Sequence, residues 1–268
     1  MKHKRYFIAM GLILVGYLSF LFVEKTVHGG NEPPVIEVPE GVLELSVMDD
    51  EEALKQDVKA KDPEDGDLTG DIFVENISEF NENQERTVTF TVIDHKNAVT
   101  RAYRTITYTD YQEPELFIQS PLVMEYGENM DKTIGCMGAT SVVDQDISNR
   151  IVIDFYSNDE ESPTVTFSVK DSCGTRVTQT CKLTWLNNFP TIQIKLSQYQ
   201  LAVEQGTEID PYAYIEEVSE NDIPSDDFSD IEIRTDYDPE VPGTYEFIYE
   251  KNKVNGNFGF TKLVVIVE

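Results

Sequence analysis

Basic residues are scarce in this chain. Its 268 residues carry 21 Lys and Arg against 50 Asp and Glu, a formal charge of −29 at pH 7. A nucleic-acid binder needs a basic face to meet phosphates, so that class is excluded. Histidine is scarcer still. His3, His28 and His95 fall in the basic N-terminus, a linker and a hairpin turn, a scatter that does not point to a metal centre or a base–nucleophile pair. No glycine-rich phosphate loop occurs, since EYGEN and NGNFG read as turns. Carboxylate pairs follow from the sheer number of acids, and a glycosidase would need two of them facing across a cleft. No enzyme is expected. Hydrophobic residues at 40% and aromatics at 10% are nevertheless too many for a disordered acidic tail.

The longest uncharged run is Tyr6 to Val23, 18 positions preceded by MKHKR. As a helix it would span about 27 Å, close to the hydrocarbon thickness of a bilayer. The basic flank places the N-terminus in the cytoplasm and everything after Val23 outside. A cleaved signal peptide is the alternative, but the run is long for one and Val27-His28-Gly29 is a poor cleavage site. The expected location is the cell membrane, single-pass, with the later domains extracellular.

Convincing helical periodicity is also lacking, and a period of two takes its place. A Pro followed by alternating apolar residues recurs at Pro34 (PVIEV), Pro114 (PELFI) and Pro190 (PTIQI), spaced by 80 and 76 residues. Thr87 to Tyr108 (TVTFTVIDHKNAVTRAYRTITY) aligns without a gap on Thr164 to Trp185 (TVTFSVKDSCGTRVTQTCKLTW), with seven identities in 22 positions. Thr244 to Val267 has the same form: strand, polar turn, strand. Alternation predicts that Val88, Phe90, Val92, Ile106 and Tyr108 point inward, as do Val165, Phe167, Val169, Leu183 and Trp185. The fold class is therefore all-β, with three tandem sandwich domains after an N-terminal transmembrane helix. The expected divisions are a basic tail 1–5, an anchor 6–23, a linker 24–32, and domains 33–110, 111–187 and 188–268. The joints DYQEP and LNNFP contain Pro and favour limited bending.

The stretch VKAKDPEDGDLTGDIFV from Val58 to Val74, followed by a TVTFTV hairpin, resembles the bacterial immunoglobulin-like repeats of Gram-positive surface proteins. The third unit carries another part of that pattern as Pro242-Gly243-Thr244-Tyr245. The second keeps only Asp144-Gln145-Asp146-Ile147-Ser148, and its DSCG turn is similar to hyalin-type repeats. The resemblance covers about residues 33–268. It implies immunoglobulin-like sandwiches and a spacer, adhesion or scaffold role without catalysis.

Two candidate sites follow. Asp62, Glu64, Asp65 and Asp67 lie in one tight loop that could offer calcium several oxygens; the other reading is turn chemistry. Between Glu208 and Glu240 stand 13 acids and one base, Arg234, read as a solvated face. The cysteines are Cys136, Cys173 and Cys181. Cys173 and Cys181 should lie more than roughly 20 Å apart along a hairpin, too far to bridge. Cys136 falls in or near an early strand and Cys181 on the face of Leu183 and Trp185. The preferred bridge is therefore Cys136 to Cys181, which the likeness to hyalin-type repeats supports, leaving Cys173 over. Three reduced thiols are the alternative. No cofactor other than calcium is implied. The function read from the sequence is a membrane-anchored extracellular repeat protein, a spacer, adhesion or protein–protein scaffold at a bacterial surface, with an unknown surface protein or glycan as partner. A carbohydrate-binding module, with Tyr199, Tyr212, Tyr214 and Phe228 as its platform, and an envelope assembly factor are the rival functions.

Overall fold

The computed structural model describes Tyr17, Ser19 and residues 31–157, 159, 162–220, 223–225, 228, 230–252 and 256–268. The apolar run 6–23 lies outside the described residues apart from Tyr17 and Ser19, and among the described residues no helix is long and apolar enough to cross a membrane. The chain divides into two compact units, 1–110 and 111–268.

The first unit holds the stretch expected as domain 1, and the second holds the stretches expected as domains 2 and 3. The strands of domain 1 are β1 (Val35–Glu37), β2 (Leu43–Leu45), β3 (Lys59–Asp62), β4 (Gly66–Asp67), β5 (Phe73–Ile77), β6 (Arg86–Ile93) and β7 (Val99–Tyr108). They form two sheets, β1-β3-β4 and β2-β7-β6-β5. All pairings are antiparallel except β2 with β7, where Leu43 faces Ile106. A single helical turn, α1 (Glu51–Leu54), crosses between the sheets, capped by the Asp50 carboxylate on the Ala53 N–H at 3.1 Å. Val88, Phe90, Val92 and Ile106 are fully buried between the sheets with Ala60 and Leu45. Burial of one such Val, Ile or Phe contributes about 1.5–3 kcal/mol, and strict alternation along β6 aims three of them at one core.

The second unit opens with domain 2: β8 (Glu115–Ile118), β9 (Val123–Glu125), β10 (Met137–Ser141), β11 (Gln145–Asp146), β12 (Val152–Ser157), β13 (Thr164–Lys170), β14 (Arg176–Lys182) and β15 (Thr184–Leu186). The plan repeats strand for strand. Sheet β8-β10-β11 mirrors β1-β3-β4, β12-β13-β14 mirrors β5-β6-β7, and β9 runs parallel to β15 as β2 does to β7. The last strand is broken at Leu183, whose N–H turns aside to the Pro163 carbonyl at 2.9 Å. Val165, Phe167, Val169 and Leu183 are buried as alternation requires. Tyr108 and Trp185, read as inward, are only partly buried at the margin of their cores.

Domain 3 follows with β16 (Ile192–Leu196), β17 (Gln200–Val203), β18 (Ile215–Glu220), β19 (Ile223–Ser225), β20 (Ile231–Thr235), β21 (Gly243–Asn252) and β22 (Phe258–Val267). Here the seven strands join in one continuous sheet around a core of Ile192, Leu196, Phe247, Tyr249, Leu263 and Val265. Its two halves, β19-β18-β16 and β22-β21-β20, join where β16 meets β22 at Ile192 and Gly259. A Cβ on Gly259 would stand 3.1 Å from the Ile192 carbonyl oxygen, a tight contact, so the approach of the two strands favours glycine.

Domains 2 and 3 belong to one unit because β22 and β17 lean on the second core. Val264 is buried in that core and Tyr199 packs against it. Lys262, 2% exposed, donates to the Lys182 carbonyl at 2.8 Å and pairs with Glu246 at 2.8 Å. Gln200 Oε1 accepts from the Ile118 N–H at 3.2 Å and from the Gln179 side chain at 2.7 Å. A buried ammonium needs such partners, and here they lie on both sides of the joint.

Candidate functional site

The D-P-E-D-G-D loop is the turn between β3 and β4. Asp62 is 5% exposed, and its Oδ1 accepts the N–H groups of Glu64 and Asp65, each at 2.8 Å. Asp65 leaves the loop and accepts the His95 N–H at 2.9 Å, while its other oxygen meets His95 Nδ1. The acidic turn is thereby tied to the β6–β7 hairpin. Asp67 accepts the Thr69 N–H at 2.9 Å, and the Thr69 hydroxyl reaches the N–H and carbonyl of Ala60. Thr69 also holds the Asp67 carboxyl below the usual range, through its hydroxyl first and its N–H second. Glu64 is exposed. The four expected calcium ligands are thus brought into one turn, but three of them are engaged by the protein's own donors. Among the described residues no group of three or more His, Cys, Asp or Glu side chains is placed to hold a metal ion.

Domain 2 performs the same task with other residues. Ser141 Oγ accepts the Val143 and Asp144 N–H groups, Asp144 accepts the Ser172 N–H at 2.7 Å, and Asp146 accepts the Ser148 N–H at 3.0 Å. Burial opposes ionisation of Asp144, but the Ser172 N–H and Arg150 outweigh it and lower its pKa. A further pair of locks sits in the long hairpins. Asp94 Oδ1 accepts the Lys96 and Ala98 N–H groups, and Asp171 Oδ1 accepts that of Thr175. The second oxygen of each is held by a residue three positions ahead of the repeat proline: Asn31 to Asp94 at 2.5 Å, the Tyr111 hydroxyl to Asp171 at 2.7 Å. Burial, the first cause, pushes the Tyr111 phenol up. Sequence reasoning missed these ties, although Asp94 and Asp171 are identical positions of the aligned hairpins.

The Cys136–Cys181 bridge is not formed; no disulfide joins the three cysteines. Cys136 ends a 3-10 turn (Met130–Cys136), its Sγ directed at the Pro121 carbonyl at 3.6 Å. Cys181 sits in β14, where burial pushes its thiol up to about 12, with Lys262 and Glu246 as its charged neighbours. The two border one core but face different surroundings. Cys173 is fully buried in its turn.

The third-domain aromatics do not form a platform. Tyr199, Tyr214 and Phe228 pack against the third core, and Tyr212 spends its hydroxyl on the Ile231 carbonyl at 3.1 Å. Three exposed aromatics, Tyr126, Phe155 and Tyr156, lie on domain 2. Tyr126 stacks on Trp185 with centroids 5.4 Å apart and planes at 17°. Phe155 and Tyr156 lie nearby on the free edge strand β12, and Tyr156 lines a depression of about 430 Å³ together with Tyr126 and Trp185. A bulge between Ile153 and Phe155 re-aims that strand. Its extra residue, Asp154, accepts from Arg176 at 2.5 Å and Ser168 at 3.0 Å.

No family model and no curated protein matches the chain. Among solved structures it is similar to the M60 catalytic domain with the CBM51-1 and CBM51-2 domains of ZmpB from Clostridium perfringens, at 11% identity over 87% of this chain and 30% of that one, TM-score 0.24. It is also similar to human CDH23 EC21-23, at 11% identity over 88% of this chain and all of that one, TM-score 0.21. Drosophila N-cadherin EC1-4 matches at 13% identity over 89% of this chain and 76% of that one, TM-score 0.20.

Proposed function

We propose that the chain is a bacterial cell-surface protein, anchored through residues 6–23 with its N-terminus in the cytoplasm, whose immunoglobulin-like repeats act outside as a spacer and interaction scaffold without catalysis. The observation that carries this reading is the repetition of one frame. Domains 1 and 2 share topology, register and turn locks, and their loop acids are occupied in holding the backbone rather than converging on a substrate. Domain 3, docked through Lys262, extends the array as a block with domain 2. The likeness of the Val58–Val74 motif to the repeats of Gram-positive surface proteins supports the same reading.

The test uses the full chain with a C-terminal tag in intact bacteria. External protease should remove the tag and the domains while a cytoplasmic control survives, and the chain should stay with the membrane fraction. A tag protected until the cells are lysed would refute the exported topology. Carbohydrate binding is a second reading, favoured by the exposed stack of Tyr126 on Trp185.

A further inference from the structure

Three shallow depressions of about 770, 430 and 350 Å³ follow one another across domain 2. Adjacent ones share walls: Glu128, Met130 and Tyr156 separate the first from the second, Tyr126 and Trp185 the second from the third. Tyr156 and Tyr126 are 48% and 68% exposed, so the groove carries aromatic rings open to solvent, while Phe155, 64% exposed, stands beside Thr166 on the other face of β12. Isolated exposed apolar residues are ordinary, but Tyr126, Tyr156 and Trp185 gathered around one depression are not.

The rings are held in place from beneath. Tyr126 rides on a turn closed by the Glu128 N–H on the Glu125 carbonyl at 3.2 Å, with Gly127 at φ +88°. Glu125 is itself fixed by the Phe189 N–H at 2.9 Å. Trp185 lies on β15, paired with β9. Polar groups rim the aromatics: Asn129, Asp131 and Asp154 at one end, Ser162, Thr184 and Glu246 at the other. Glu246 comes from domain 3, so the docked block completes the groove.

Flat apolar faces flanked by hydrogen-bonding groups suit a ligand with the same alternation, and a pyranose has one: C–H faces above and below, hydroxyls around the rim. The acidic rim and a net charge of −29 disfavour polyanions. Three linked depressions suit a chain better than a single small cation. We propose that this groove binds a neutral, extended β-1,4-linked oligosaccharide, whose equatorial linkages give a flat ribbon that rests on the open face of Tyr126 and on Tyr156, with Trp185 stacked beneath Tyr126. The proposal rests on the reading of the chain as a binding scaffold, yet binding in vitro stands or falls independently of where the chain resides.

Trp185 is the only tryptophan of the 268 residues, so the protein's indole fluorescence reports this groove alone. The full chain is placed in phosphatidylglycerol vesicles, which carry neither saccharide nor choline, and titrated with cellotetraose, tetra-N-acetylchitotetraose and the corresponding disaccharides. At least one tetrasaccharide should shift the emission saturably at millimolar concentration or below, about tenfold more tightly than its disaccharide. Tyr126→Ala and Tyr156→Ala should each weaken binding by about tenfold with the melting curve unchanged, as suits exposed rings. Tyr103→Ala, an exposed tyrosine of domain 1, should have no effect. No saturable change with either tetrasaccharide overturns the proposal. So does a response to choline chloride alone, which would make the site a cation cage, or equal binding by the Tyr126→Ala, Tyr156→Ala double variant.

Discussion

Domains 1 and 2 are built on one frame and differ in what they leave uncovered. In domain 1 the position aligned with Trp185 is Tyr108, and its ring is closed off by Phe80 edge-on at 6.4 Å and by the Arg86 guanidinium at 5.9 Å. Tyr126 has Val47 as its counterpart, and Phe155 and Tyr156 have Asn76 and Ile77. The bulge on the edge strand is the same in both, as is its buttress: Glu75 on Arg101 and Thr91, Asp154 on Arg176 and Ser168. The frame is therefore indifferent to what its margin carries. One copy seals that margin with a cation and an edge-on ring, and the other leaves aromatic rings open to solvent.

The comparison breaks most sharply at the domain 2–3 joint, which has no equivalent within the first unit. Lys262→Ala leaves Glu246 and the Lys182 carbonyl without their partner and should cost about 3 kcal/mol. Calorimetry of the full chain should show the transition of the second unit lowered and that of domain 1 unmoved. The hairpin ties come next. Asp65→Ala and Asp144→Ala each remove a carboxylate from a backbone N–H, and each should destabilise its own domain by about 1.5–3 kcal/mol in urea unfolding. Equal losses would show that the two locks are the same device.

A smaller effect separates the β3–β4 turn from its copy. Gly66 adopts φ +85° in domain 1, while Gln145 holds φ +63° at the matching turn of domain 2. Gln145→Gly relieves that strain and should stabilise the second unit by about 1 kcal/mol, read as a raised urea midpoint. Acid titration sharpens the pairing of Glu75. The Arg101 guanidinium, and then the Thr91 hydroxyl, draw its carboxyl from 4.5 down to about 2. A carboxylate depressed in this way lends stability above its unfolded pKa and loses it as pH falls through the folded one. The melting temperature of domain 1 should therefore decline between pH 4.5 and 2, and Glu75→Gln should flatten that decline. The smallest expected effect is that of calcium. With three of the four loop acids already engaged, exchange of millimolar calcium for EDTA should move melting by no more than about 1 °C; a shift of many degrees, lost in Asp62→Asn, would assign the metal to that loop.

Much of the frame was legible because its causes are local. Alternation along Thr87–Ile93 and Thr164–Lys170 places Val88, Phe90 and Val92 and their copies on one face whatever lies opposite, and all six are buried. The Asp-Gly turns and the repeat prolines likewise act within a few residues. Trp185 could not be read in the same way. Its alternation points inward, yet β15 is a three-residue strand at the sandwich margin, and whether a ring there is covered depends on residues such as Phe80 and Arg86 that occur in one repeat only. The cysteines were legible only in part, since strand assignment places Cys181 on the core face but does not say how a thiol at the end of a 3-10 turn, Cys136, will meet that core.

From its order of residues alone, this protein was bound to be acidic, all-β and repetitive, because charge, period and spacing are properties of the chain itself. Only the tertiary structure decided that Asp65 ties one hairpin to another turn, that Lys262 is buried across a domain joint, and that Tyr126 stacks on Trp185 in the second domain. Each depends on contacts between residues 30 to 80 positions apart, and a side chain's surroundings are settled by what the distant strand brings against it.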